Sequence, residues 1–301
     1  MAFLTFALSL YQLSFILLLQ TVFGADPIFH ICSTSDNFTR NDPYDINLRI
    51  LLGYLSFETP PTGYSFSSMG ESQSQVFGLA LCRGDVSYVD CASCVIEASN
   101  KVRDYCSYNK NGIIWYENCL VKYANNSFFG KIDYENMVYA WAVQNASDPS
   151  SFNPKVRNLL TELANQASGS RKMYKAGSLE IGEGRRVYGL TQCTRDISGS
   201  DCKVCLEEEI RRQPDCCDGK QGGRIMSGSC YFRYDVSPFV NESMLNMGRP
   251  YLSPFVNDSM LNTGEPYLSP FVSDPMRNMG ERTVTLPSYL VAYILYYIFC
   301  K

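Results

Sequence analysis

The sequence predicts an α+β protein built as two tandem modules, and three observations carry that reading. A cysteine register, C-x8-C-x2-C, is written twice, as CRGDVSYVDCASC at 82–94 and as CTRDISGSDCKVC at 193–205. Around each register the apolar pattern changes in one order: a helix, two strands, a second helix, two more strands. The 13 cysteines divide into a group at 32, 82, 91, 94, 106 and 119, a second at 193, 202, 205, 216, 217 and 230, and Cys300 alone. Beyond each register the gaps x11 and x12 recur, if Cys217 is counted and Cys216 taken as an addition. Agreement at this level marks an internal duplication.

Each element has its own signal. Residues 41–57 set Leu48, Leu51, Leu52 and Leu55 on one helical face, with Asn41 or Asp42 as cap and Pro43 at the start. Residues 63–70 and 75–82 read as strands, 88–106 as the helix carrying the CxxC, and 112–119 and 120–124 as the closing strands. In the second half the helix over 151–167 has Val156, Leu159, Leu160 and Leu163 on one stripe. Strands follow over 172–182 and 185–193, then a helix over 200–217 stopped by Pro214, then strands over 222–230 and 231–239. That order suits an antiparallel sheet with helices on one face.

The compartment decides what the cysteines are for. Residues 2–19 are almost free of polar groups, and Val22 and Gly24 are small enough for a signal-peptidase site, so residues 1–24 read as a cleaved leader. Sequons at Asn37, Asn125, Asn145, Asn241 and Asn257 agree with passage through the secretory route. In an oxidising lumen the cysteines are expected as disulfides. A zinc site wants four converging ligands, yet each copy has one CxxC and the only histidine, His30, lies outside both, so no metal is expected. A thioredoxin-like site wants a strand before its CxxC, and this CxxC sits within a helical run.

Composition narrows the function. With 26 basic and 30 acidic residues the net charge is −4, which provides no basic patch for nucleic acid. One imidazole among oxidised cysteines leaves nothing on which to build a Ser-His-Asp or Cys-His site, so no catalytic residue and no cofactor are expected. The run Glu207-Glu208-Glu209 reads as a solvated helix face rather than a glycosidase pair. The Arg-Gly-Asp at 83–85 reads as coincidence, since the second copy has Thr-Arg-Asp there.

VFGLALCRGDVS (76–87), IIWYENCLVKYAN (113–125) and CCDGKQGGRIM (216–226) resemble the plant cysteine-rich repeat secretory proteins. Their module, the ginkbilobin-homologous or stress-antifungal domain, also forms ectodomains of cysteine-rich receptor-like kinases and plasmodesmata-located proteins. The resemblance covers residues 28–132 and 140–240, with no kinase domain after them. It implies two helices on a five-stranded antiparallel sheet per module. It also implies the pairs Cys32–Cys106, Cys82–Cys91 and Cys94–Cys119, then Cys193–Cys202 and Cys205–Cys230. Cys32 has no counterpart near Ala140, so Cys217 is left without its implied partner. Adjacent Cα atoms lie about 3.8 Å apart, below the usual disulfide span of about 4.4–6.8 Å. A strained Cys216–Cys217 bond, two buried thiols, or a bridge to Cys300 or another chain therefore remain open.

The resemblance also bears on ligands. A lectin-like member binds mannose through an Asn, an Arg and a Glu. Ser33, Ile113 and Ala124 stand at those places in the first module, so that site is expected to be lost. In the second, Arg224 matches, Asp235 replaces the Glu, and the Asn has no counterpart. The simpler expectation for Arg224 and Asp235 is a cross-strand ion pair. The resemblance implies a secreted, non-enzymatic recognition protein of plant stress or defence that binds a cell-surface protein or carbohydrate. Its rivals are a mannose-binding antifungal lectin and a thiol sensor at Cys216 and Cys217.

After the second module, three imperfect copies of a 16-residue unit run over 237–284, beginning Ser237-Pro-Phe-Val, Ser253-Pro-Phe-Val and Ser269-Pro-Phe-Val. Proline and glycine in every copy argue against a helix, and residues 241–284 are expected to be disordered. The apolar end, 285–301, falls short of the ~20 residues of a spanning helix, so membrane anchoring is not expected.

Overall fold

A computed structural model of the chain describes residues 26–33 and 36–240. The leader, the tail from 241 onwards, Asn241, Asn257 and Cys300 lie outside the described residues.

The first module runs β1 (Phe29–Cys32), α1 (Pro43–Thr62), β2 (Tyr64–Met69), β3 (Val76–Cys82), α2 (Tyr88–Tyr105), β4 (Gly112–Trp115) and β5 (Cys119–Ala124). The second runs β6 (Met137–Trp141), α3 (Pro149–Ser168), β7 (Tyr174–Gly182), β8 (Arg185–Cys193), α4 (Gly199–Arg211), the short α5 (Gln213–Cys217), β9 (Gly222–Ser227) and β10 (Cys230–Asp235). The sheets are antiparallel, in the orders β1-β4-β5-β3-β2 and β6-β9-β10-β8-β7. The class is α+β, two helix-covered five-stranded sheets in tandem.

Local chemistry sets the helix ends. Asp42 caps α1 by accepting from the Asp45 amide at 2.9 Å, and Gly63, at φ 75°, ends it by donating to Thr59 O. Ser87 and Ser198 cap α2 and α4 in the same way, accepting from Asp90 and Asp201. Pro214 does not simply end the second helix. α4 stops at Arg211, and Pro214 lies in the first turn of α5, where a missing N–H costs nothing.

Helix stripes meet sheet faces. Leu48, Leu51, Leu52 and Leu55 of α1 pack with Val76, Ala80, Ile114, Val121 and Tyr123. Val156, Leu160 and Leu163 of α3 pack with Val187, Ile225, Phe232 and Tyr234. A Cβ on Gly78 would lie 2.9 Å from Leu51 Cδ2, and one on Gly189 3.0 Å from Leu163 Cδ1, so the close helix-to-sheet approach needs glycine in both copies.

Periodicity in the sequence did not reveal the edge strands β1 and β6. Both are short, and their alternation is faint because neither face is fully buried.

Sulfur ties the layers together. The cysteines of each CxxC diverge: Cys91 bonds Cys82 of β3 while Cys94 bonds Cys119 of β5. Cys202 and Cys205 repeat this with Cys193 and Cys230. Cys32–Cys106 staples the edge strand β1 to the end of α2. In the second module Trp141 sits opposite Gly223 where Cys32 sits opposite Gly112, and Cys217 bonds its neighbour Cys216 across a Cα separation of 3.7 Å. Of the alternatives left open by the sequence, the structure forms the vicinal bond, and strand β6 carries no staple.

The solvated reading of Glu207–Glu209 needs correction. Glu208 accepts from Arg211 and Arg212, whose hydrogen bonds hold its carboxyl at about 2, but Glu209 is only 1% exposed, at the place of Ala98 in the first module. Burial pushes the Glu209 carboxyl well above its ordinary range.

Two predictions follow from this asymmetry. Below the ordinary glutamate pKa, Glu209 is protonated in folded and unfolded chains alike. Above it the unfolded chain loses the proton and the fold keeps it, so stability falls by about 1.4 kcal/mol per pH unit until the raised pKa is reached. Urea unfolding of Glu209→Gln will match the native protein near pH 4 and exceed it increasingly towards pH 7. The double variant W141C/C216S will form a disulfide between positions 141 and 217, visible by peptide mass spectrometry, and gain about 2–4 kcal/mol from closing that long loop.

Candidate functional site

The strands central to the site are buried on both faces. The face away from the helices carries Leu79, Leu81, Ile113, Trp115 and Leu120 in the first module and Val138 and Met226 in the second, and these form one apolar cluster. The two sheets thus cover each other. Polar contacts tie the seam. Trp115 Nε1 donates to Ser227 O at 3.2 Å, Gln192 Nε2 to Cys82 O at 3.0 Å, and Arg195 Nη1 to Thr62 O at 3.0 Å. Gly84 lies under the Tyr174 ring, where a Cβ would come within 2.3 Å of Cγ.

The Arg-Gly-Asp triplet belongs to this seam. Arg83 and Asp85 pair with each other at 2.6 Å with side chains 11% and 2% exposed, so the triplet is not displayed for adhesion.

Arg224 and Asp235 occupy the same outer face, on β9 and β10. The register sets Arg224 opposite Arg233 and Asp235 opposite Gly222, so the expected cross-strand pair between Arg224 and Asp235 does not form. Two facing arginines need a counter-charge, and the first module supplies it. Glu117, in the β4–β5 turn, accepts from Arg224 Nη1 at 3.0 Å and Arg83 Nη1 at 3.1 Å, and makes a close ion pair with Arg233. Asp235 lies 3.8 Å from Arg233. One glutamate thus gathers three arginines from both modules, a network worth more than an isolated surface pair.

Beside this network a cleft of about 310 Å³ is lined by Trp141, Ala142, Arg224, Arg233, Asp235 and Glu117. Trp141 is 54% exposed there. Sequence reading missed both Glu117 and Trp141. Glu117 acts on the other module, and the strand register is what sets Trp141, rather than Ala140, in the place of Cys32.

The matching face of the first module is filled differently. Lys122 Nζ lies 4.3 Å above the Phe128 ring and 2.6 Å from Asp133, both from the segment joining the modules. Burial alone raises the Asp133 carboxyl, but the Lys122 ammonium and hydrogen bonds from Asn136 outweigh it and hold it below the ordinary carboxylate value. Ile113 is buried in the seam, Ala124 is half-buried, and Ser33 lines the adjoining cleft.

Other candidates resolve simply. His30 stacks on Tyr105 at 4.4 Å. Among the described residues, the grouping of metal-type donors is Cys205, Glu209 and Cys230, and the two sulfurs are bonded to each other. Asn37 and Asn145 are exposed, whereas Asn125 is half-buried with its Nδ2 donating to Asp36 at 2.7 Å.

Paired, disulfide-stapled α+β bodies joined through their sheets define the class as a tandem extracellular module. The chain belongs to the salt stress response/antifungal family, whose model matches residues 31–126 and 140–237. It is 48% identical over 233 residues to the antimicrobial ginkbilobin-2-like protein of Castanea crenata, covering 76% of this chain and 97% of that one. It is 49% identical over 216 residues to cysteine-rich repeat secretory protein 38 of Arabidopsis thaliana, covering 71% and 85%. The tandem DUF26 ectodomain of the Arabidopsis thaliana cysteine-rich receptor-like protein PDLP5 superposes with a TM-score of 0.61 at 30% identity, covering 71% of this chain and all of that one. The protein is secreted and extracellular, and its family and fold are not those of an enzyme.

Replacing Glu117 by Ala leaves Arg83, Arg224 and Arg233 facing one another. Because Glu117 is 43% exposed, solvent screens part of the effect, and urea unfolding will show a loss of about 1–2 kcal/mol that shrinks in high salt.

Proposed function

We propose that the protein acts outside the cell as a recognition module in plant stress or defence, binding a cell-surface protein. In this reading residues 1–24 are removed, the two bodies span 28–132 and 140–240, and glycans sit on Asn37 and Asn145. One observation carries it. Ile46, Ile50, Tyr54 and Phe57 form a stripe along the outer side of α1, exposed by 43, 53, 40 and 78%. The corresponding positions of α3 hold Pro154, Asn158, Glu162 and Asn165, all exposed. The same fold is built without apolar residues there, so packing does not require the stripe. An exposed apolar strip on a secreted protein marks a partner surface. The kinship with a receptor-like ectodomain points to a protein partner at the cell surface.

A second reading, a mannose-binding lectin, draws support from the cleft. Trp141 offers an aromatic platform beside Arg224 and Asp235, groups suited to charge-assisted hydrogen bonds with sugar hydroxyls. The relative named as antimicrobial agrees with it. Against it, Glu117 already occupies Arg224.

The readings separate experimentally. Saturable, protease-sensitive binding of labelled protein to plant cell surfaces will drop at least tenfold in I50E/F57E and persist in R224A. Equal binding by I50E/F57E and native protein refutes the first reading. Mannan pull-down abolished by R224A and by W141A would establish the second, and failure of the native protein to bind mannan ends it.

A further inference from the structure

Strand β2 ends its sheet, pairing with β3 on one side and with no other strand among the described residues. In such an edge strand every second residue has its N–H and C=O pointing off the sheet. The register fixes which ones. Cys82 N donates to Gly63 O at 2.8 Å, so Gly63, Ser65, Ser67 and Met69 bond towards β3 while Tyr64, Phe66 and Ser68 point outward. Tyr64 is satisfied locally: the Thr62 hydroxyl donates to its carbonyl at 2.6 Å and accepts from its amide at 3.3 Å. The outward backbone groups of Phe66 and Ser68 meet no partner among the described residues. Both residues are exposed, and the Phe66 ring is braced by Phe129 at 5.0 Å.

Proteins blunt such edges with charges, bulges or covering groups. The sister strand β7 carries all of these. It holds Lys175 and Glu180, and a bulge breaks its register between Glu180 and Gly182. The Ser170 hydroxyl occupies both outward backbone groups of Tyr174, and Arg186 Nη2 donates to Ser178 O at 3.4 Å. The end of the chain beyond β10 lies against the same sheet, Val240 seated on Ala176 and Leu190 and Phe239 on Arg233. Strand β2 has none of this protection. Its register runs unbroken from Tyr64 to Met69, and residues 59–70 hold no charged side chain.

The free groups are self-complementary. A second copy laid antiparallel across a two-fold axis at Ser67 sets Phe66 opposite Ser68 of the partner subunit, and Ser68 opposite Phe66 of the partner subunit. Both are outward residues, so each pair exchanges its hydrogen bonds and every free backbone group is used. The two phenylalanines then stand diagonal to each other on the outer face, about 7–8 Å apart and within reach of ring contact. The same register brings opposite charges together. It sets Glu71 of the partner subunit opposite Gly63, where a Cβ would lie 3.5 Å from Arg195 Nη2. Arg195 donates to Thr62 O and covers the Tyr64 ring, but its Nε is buried without a hydrogen-bond partner, and neither it nor the exposed Glu71 has an ion pair among the described residues. We propose that β2 is a homodimer interface, through which two copies of the chain join edge to edge into one continuous sheet. Two short strands bury less area than a standard interface, so the dimer is a weak one that forms in the micromolar range. It presents two α1 stripes and so binds bivalently where they have a partner, although the edge contact does not depend on the stripe.

The test is sedimentation velocity of the full chain from about 1 to 500 µM, with amide hydrogen exchange read at both ends of that range. The native protein will pass from monomer to dimer. The amides of Phe66 and Ser68 will gain about tenfold protection in the dimer, while those of Ser65 and Ser67 are protected throughout. F66K sets like charges near each other across the axis, and S68P removes an outward donor at an edge position that tolerates proline; each will raise the dissociation constant about tenfold or more. E71Q will weaken the dimer less and flatten its salt dependence. I50E/F57E will leave it unchanged, which separates this proposal from the reading of the α1 stripe. If F66K does not fold, F66S takes its place. A native protein that stays monomeric overturns the proposal, even where F66K loses cell-surface binding, because the edge would then accept a strand of another protein. A dimer indifferent to both F66K and S68P overturns it as well.

Discussion

The outer face of each sheet cannot remain in water. Strands β3, β4, β5 and β9 bury side chains on both sides, and the side away from the helices bears Leu79, Leu81, Trp115 and Met226. Exposed together, such residues would form a patch larger than a soluble monomer carries without a partner. Each module resolves this by covering the other. Once the sheets are opposed, polar groups along the seam must find partners as well, and they do so across it: Gln192 with the Cys82 carbonyl, Trp115 with the Ser227 carbonyl, Glu117 with three arginines. The cleft, the buried Arg-Gly-Asp and the docked Ser-Pro-Phe-Val segment are all set against this seam.

Sulfur acts on a different scale. Within each module the diverging CxxC fastens one helix to two strands, so sheet and helix layer hold their spacing without a large core. The duplicated bodies then depart from each other at three places. Cys32 becomes Trp141, the staple on the edge strand is lost, and the cleft beside Trp141 lies along that unstapled strand. Ala98 becomes Glu209, a buried acid whose carboxyl is pushed well above its ordinary range by desolvation. The apolar stripe of α1 becomes the polar face of α3. Shared residues are those of packing and sulfur; the divergent ones include exposed positions, Trp141 and the α1 stripe, and one inside the core, Glu209.

Much of the architecture was legible beforehand because it repeats locally. Helix stripes at i, i+3, i+4 and i+7, serine and aspartate caps, and the doubled cysteine register all act within a few residues or within one module. The edge strands β1 and β6 were not legible, since they are short and neither face is fully buried. Glu209 was misread because a run of three glutamates looks uniform in a sequence, while a helix turns each of them towards a different environment.

The site divides along the same line. Sequence alone determined that Arg224 and Asp235 stand on neighbouring strands and that Cys217 lacks the partner its sister Cys106 has. It determined as well that one tetrapeptide is written three times. Only the tertiary structure decided that Arg224 answers to Glu117, that Trp141 opens on a cleft, and that the first Phe239 rests against Arg233. Arg224 and Glu117 stand 107 positions apart, Trp141 is set by register between strands, and Phe239 meets Arg233 where the chain beyond β10 lies against the sheet; the energies of these contacts arise only when water is displaced between surfaces that no local pattern brings together.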